Sequence, residues 1–100
     1  MQPEKLHLEI DLELEPLIPG YFLDIEAYIT EIETNLQTGG SVEKIRMVGH
    51  KMKGSGASYG FLFVSDCGHA VEANATNRQK ISHLLQELRK DLQRVEIHYI

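Results

Sequence analysis

The sequence predicts an all-α fold, an antiparallel four-helix bundle with extended N- and C-terminal tails. Three observations predict it. Four stretches place apolar residues at steps of three and four, the spacing of one buried stripe on a helix. Short connections rich in glycine and asparagine separate those stretches. Both ends of the chain alternate apolar and polar residues with the period of a strand instead.

The N-terminal tail contains KLHLEIDLEL, in which Leu6, Leu8, Ile10, Leu12 and Leu14 alternate with polar or charged residues. Pro16 and the Pro19-Gly20 pair then break the chain. In YFLDIEAYITEIETNLQTGG, Phe22, Ile25, Ile29, Ile32 and Leu36 form the first helical stripe, and Gly39-Gly40 stops it. Ser41 is placed to cap a second helix whose stripe is Ile45, Val48, Gly49, Met52, Gly56 and Tyr59, with Gly60 at its end. Val64, Cys67, Gly68, Val71 and Ala75 give a third helix. Asn77 caps a fourth, with Ile81, Leu84, Leu85, Leu88, Leu92 and Val95 as its stripe. The terminal VEIHYI alternates again and is placed to pair with the N-terminal tail or to lie along the same groove. One domain over residues 1–100 is expected, with the bundle at about 17–95 and an extended segment at 1–15.

Composition narrows the function. The chain has 100 residues, 42% hydrophobic and 25% charged, as an ordered globular domain does. The formal net charge of -5 argues against a nucleic-acid partner, which needs a positive field. No apolar run approaches a membrane span, and the N-terminus lacks the apolar core of a signal peptide. The single cysteine, Cys67, suits a reducing compartment, so the expected location is cytoplasmic.

The second helix carries an anomaly. Gly49, Gly54 and Gly56 lie inside it, and each interior glycine costs about 1 kcal/mol relative to alanine. On a helical wheel Gly49 and Gly56 fall on the buried stripe, where a missing side chain lets another helix approach. His50 falls about 150° from the centre of that stripe and so faces solvent. Lys53 and Gly54 follow it by three and four residues, Arg46 and Met47 precede it by one turn, and Ala57 lies two turns beyond. Packing accounts for Gly49 and Gly56 but not for Gly54, which leaves the surface beside His50 low and open. A bare histidine beside an ammonium group suits the handling of an anion in contact with a partner's backbone.

HKMKGSGASYG, beginning at His50, resembles the His-x-x-Lys-Gly signature of histidine-containing phosphotransfer (HPt) domains, the helical bundles that carry phosphoryl groups in two-component phosphorelays. EPLIPGYFLDIEAYI, CGHAVEANA and LQELRKDLQRVEIHY are similar to segments of small bacterial members, so the resemblance runs from about Leu12 to Tyr99. It implies that His50 is the phosphoacceptor, that Lys53 steadies the phosphoryl oxygens, that Gly54 leaves room for the receiver's loops, and that Glu72 borders the histidine from the third helix. A carboxylate there orients the imidazole but also repels an incoming phosphoryl group. By helical position Ala57, Met47 and Arg46 join Gly54 on the docking surface, and His69 falls on the flank of Glu72, where it either borders the site or has no role. The implied partners are a response-regulator receiver domain and a hybrid sensor histidine kinase. The chain is expected to bind no cofactor of its own, the Mg²⁺ of the reaction residing in the partner receiver domain, and to act as a carrier rather than an enzyme.

The residue types agree. Neutral imidazole is an available nucleophile near pH 7, and phosphoryl transfer depends mainly on positioning and charge stabilisation. The sequence has no Gly-rich nucleotide loop and no clustered carboxylates for Mg²⁺. An alternative is a receiver-binding module that sequesters a partner without efficient transfer. A third reading, an unrelated bundle, leaves Gly54 unexplained.

Other features have plainer readings. His7, His83 and His98 show no metal-ligand spacing with each other or with Cys67, so no metal site is expected. Cys67 lies on an apolar stripe and reads as a buried structural thiol. Arg78, Lys80, Arg89, Lys90 and Arg94 read as a solvated face of the fourth helix. Glu9, Asp11, Glu13 and Glu15 read as solubilising charges.

Overall fold

The computed structural model describes residues 4–100. Among these, strand β1 (Leu6–Ile10) leads through a 3-10 helix (Leu12–Leu17) into α1 (Ile18–Thr38), α2 (Val42–Tyr59), α3 (Leu62–Ala73), α4 (Arg78–Arg94) and strand β2 (Val95–Tyr99). The molecule is therefore a four-helix assembly with a small sheet, and not strictly all-α. β1 and β2 pair in parallel, with Leu6 opposite Val95 and Ile10 opposite Tyr99. The ladder continues from Ile100 N–H to Ile10 O and from Leu12 N–H to Ile100 O, both 3.0 Å. A two-stranded sheet is marginal unsupported. Here its inner face is held by the helices: Leu8 and Ile10 are buried, and Ile97 and Tyr99 pack against the same core.

The extended N-terminal segment ends earlier than residue 15. Asp11 accepts a hydrogen bond from Glu13 N–H at 2.9 Å, and the chain turns into the 3-10 helix there. An aspartate that caps its own following turn outweighs the alternation of Leu12 and Leu14. Pro19-Gly20 does not break the chain either, because it sits in the first turn of α1, where a missing N–H leaves no intrahelical bond unmade.

The remaining helix boundaries follow local chemistry. Gly39 closes α1 in the left-handed conformation, φ 69°, its N–H bonded to Asn35 O. Ser41 Oγ accepts from Lys44 N–H at 3.3 Å and starts α2. Asn77 Oδ1 accepts from Lys80 N–H at 3.1 Å and starts α4. Two stripe residues fall outside their helices: Ala75 is buried in the turn after α3, and Val95 opens β2.

The core is continuous. Ile25, Ile29 and Ile32 of α1 meet Ile45, Val48 and Met52 of α2, Val64 and Val71 of α3, and Ile81, Leu85 and Leu88 of α4. Tyr21 and Phe61 extend it as edge-to-face rings 5.0 Å apart, with Tyr59 stacked on Tyr21 at 4.2 Å. The basic face of α4 is not simply solvated. Arg89 binds Glu33 at 2.8 Å and Glu26 at 3.3 Å, tying α4 to α1, while Arg94 donates to Glu4 O at 3.0 Å and pairs with Asp91. Arg78 donates to Leu36 O at the end of α1.

Candidate functional site

The site is built where α2 and α3 come closest, and glycines set that distance. A Cβ on Gly49 would lie 2.9 Å from Glu72 N and Gly68 O. One on Gly68 would lie 2.5 Å from Lys53 N and 2.6 Å from Gly49 O, and one on Gly56 2.5 Å from Ser65 N. Each of these separations is too short for a real side-chain carbon, so the two backbones touch only because these three residues lack one. Ser65 Oγ adds a hydrogen bond to Lys53 O at 2.8 Å. The α2 backbone under residues 49–56 is thus seated on α3.

That seating brings a carboxylate to the histidine. The His50 side chain is 74% exposed, and its Nδ1 lies 3.1 Å from Oε2 of Glu72. A carboxylate only accepts, so in the neutral ring this hydrogen bond goes with the proton on Nδ1 and the lone pair on Nε2. Glu72 fixes the tautomer and orients the ring, and its own side chain is 30% exposed, less than half as open as the imidazole it holds.

Lys53 is exposed one turn after His50 and, among the described residues, takes part in no ion pair. Its ammonium is available to an incoming anion. Arg46, half-buried, is engaged with Glu43 at 2.5 Å. Met47 is 56% exposed and Ala57 is exposed. A Cβ on Gly54 would meet nothing within 4 Å, so no contact among the described residues requires glycine there. His69 is exposed on α3, one turn before Glu72, and makes no hydrogen bond among the described residues. It stands on the flank and is not joined to His50.

Ser65 supports the site without having been singled out from sequence, and Gly68, placed by the sequence on the buried stripe of α3, was not tied to it. The available signal was the pairing of Gly68 with Gly49, two glycines on the buried stripes of consecutive helices. Cys67 lies against α4, its Sγ 3.8 Å from Leu84 O, and burial pushes its thiol up to about 11, with Asp91 adding to the effect. At neutral pH it stays protonated and unreactive. The strand pairing brings one ligand atom each of His7, Glu96 and His98 within 4.8 Å of the others, a proximity that histidine spacing along the sequence did not anticipate.

The model of the Hpt domain family matches residues 18–98, from the first residue of α1 into β2. The chain belongs to this family, the histidine phosphotransfer domains of two-component phosphorelays. Neither a curated protein nor a solved structure matches the chain. Domains of this family are phosphocarriers rather than catalysts in general, and they interact with receiver domains and kinases. The matched range contains α1–α4 and leaves β1 and the 3-10 helix outside it. No helix among the described residues is long and apolar enough to cross a membrane.

Proposed function

We propose that this protein is a cytoplasmic phosphocarrier that takes a phosphoryl group onto Nε2 of His50 and exchanges it with the aspartate of a receiver domain. The single observation that carries the reading is the 3.1 Å bond from His50 Nδ1 to Glu72, which leaves an exposed Nε2 as the only ring nitrogen with a lone pair. Lys53 and the open surface over Gly54 support it. The reading takes the four helices to run antiparallel, which their short connections favour.

In the transfer, Nε2 attacks the phosphorus of an aspartyl phosphate. The N–P bond forms, the P–O bond breaks, and the receiver's carboxylate leaves with the electron pair. The ring keeps its proton on Nδ1 and becomes a cationic phosphoimidazolium, whose charge the Glu72 carboxylate offsets. The phosphoryl group carries about -1.5 to -2 charges near pH 7, which Lys53 meets with one charge-assisted hydrogen bond. The Mg²⁺ and the acceptor aspartate belong to the receiver. A hybrid sensor histidine kinase is the source, through its own receiver domain.

Incubation with phosphorylated receivers, followed by intact-mass measurement, tests the reading. One phosphoryl group should appear on the wild type and none on His50→Gln, and the label should be stable in alkali and lost in acid. Receiver binding without any transfer would leave the sequestering module in its place. Equal labelling of His50→Gln would overturn the assignment of the acceptor.

A further inference from the structure

The strand pair carries a cluster that phosphotransfer does not use. In β1 the residues facing away from the core are His7 and Glu9, and in β2 they are Glu96 and His98. The parallel register sets His7 opposite Glu96 and Glu9 opposite His98, so the four form one exposed face. Within it, Nδ1 of His7 lies 3.3 Å from Nε2 of His98, and that Nε2 lies 3.5 Å from Oε1 of Glu96. One ligand atom from each of His7, Glu96 and His98 falls within 4.8 Å of the others.

We propose that His7, Glu96 and His98 form a site for a divalent transition-metal ion of the Zn²⁺ class, clipping the two ends of the chain together. The donor set is that of such an ion, two imidazole nitrogens and one carboxylate oxygen. The spacing also fits. Zinc holds nitrogen at about 2.0–2.1 Å with tetrahedral angles, which sets neighbouring ligand atoms about 3.3–3.4 Å apart. The His7–His98 separation already has that value, and the His98–Glu96 separation is close to it. The fourth position is open to water, because the whole face is exposed. In the neutral tautomers that carry the proton on the other ring nitrogen, His7 Nδ1 and His98 Nε2 each offer the ion a lone pair.

Almost the full length of the sequence separates His7 from Glu96 and His98, so the three-ligand site exists only in the paired state, which the ion therefore favours over the unfolded chain. Metal binding then becomes stability of the fold. The site is built on β1 and β2, whereas the phosphoryl site is built on α2 and α3, so failure of either assignment leaves the other standing.

Calorimetric titration of the full chain with Zn²⁺, paired with thermal melts in Zn²⁺ and in EDTA, is the test. The wild type and His50→Gln are expected to take up one equivalent. In both, Tm should rise by about 10 °C or more at free Zn²⁺ one hundred times Kd. Removing even an outer partner of a metal site costs about 10–100-fold in affinity, so His7→Ala and His98→Ala should each lose at least that much together with the Tm rise. Glu96→Gln, which keeps the shape of the side chain, should weaken binding in the same direction. The melts in EDTA show that each variant is folded before metal is added. No uptake by the wild type, undiminished uptake by both histidine variants, or loss of uptake in His50→Gln would overturn the site.

Discussion

At the scale of single residues, the proposed phosphoryl site pairs a group that is held with a group that is free. His50 is fixed through Nδ1 by Glu72, while Lys53 has no partner among the described residues and is limited only by its own stem. The two therefore respond differently to substitution. Lys53→Ala is expected to slow transfer or shorten the lifetime of the phosphorylated form, with an unchanged melting curve. The loss should be modest and should shrink as salt rises, because an exposed ion pair is worth about 0–1 kcal/mol and is screened. Transfer kinetics and hydrolysis rates at low and high ionic strength check it, and identical rates for both chains throughout would remove Lys53 from the site. The positions of His50, Lys53 and Gly54 were legible in the sequence because all three lie on one helix, where spacing alone fixes direction. Glu72 was reached only through a family resemblance, since its distance from His50 depends on how closely a second helix approaches.

At the scale of the element, α2 has two faces that use glycine for opposite reasons. On the buried face, Gly49 and Gly56 are bare because the α3 backbone lies against them. On the exposed face, Gly54 is bare although a Cβ there would meet nothing within 4 Å among the described residues. Alanine at Gly54 should raise stability by up to about 1 kcal/mol, since the position is helical and open. Gly54→Gln should leave the fold intact and weaken receiver docking by filling the approach to His50. Gly56→Gln should destabilise the molecule by about 3 kcal/mol or more, because even its Cβ meets Ser65 N at 2.5 Å. Thermal melts and receiver titrations on both variants make the comparison. Normal docking by Gly54→Gln, or unfolding as severe as that of Gly56→Gln, would contradict the placement of Gly54 on a docking face. The wheel predicted both faces of α2 and put Gly68 on the buried stripe of α3, but it could not say that Gly68 lay against Gly49 or Ser65 against Gly56. Ser65 and Gly68 needed the packed pair.

At the scale of the whole molecule, two weak acids, the buried Tyr21 and the half-buried Cys67, couple the fold to alkaline pH. Burial pushes Tyr21 from 10.0 up to about 12, against the opposing hydrogen bond from Ser55, and Cys67 from 9.0 up to about 11. The folded chain holds both protons more tightly than the unfolded chain does. Their contribution is complete below about pH 9, then falls as pH rises through about 9–11 for Cys67 and 10–12 for Tyr21. Denaturation midpoints should therefore drop on the alkaline side, and Cys67→Ala should flatten the drop between about pH 9 and 11 relative to the wild type. Parallel slopes for the two chains would show that the thiol does not contribute. The sheet is also a property of the whole chain. Each tail showed a strand period, but their parallel pairing and register depend on where the bundle delivers its two ends. Local spacing rules for metal ligands cannot see His7 beside His98 for the same reason. That pairing has a mechanical meaning. Because β1 and β2 run the same way, the chain enters the ladder at Leu6 and leaves it at the opposite end, after Tyr99. Tension applied before Leu6 and after Tyr99 loads the inter-strand hydrogen bonds side by side, in shear. Tension applied at the exposed Leu17 and at Ile100, both toward the same end of the ladder, peels them apart one by one. Single-molecule stretching should show a higher rupture force along the first axis than along the second, making the chain strong in one direction and weak in the other.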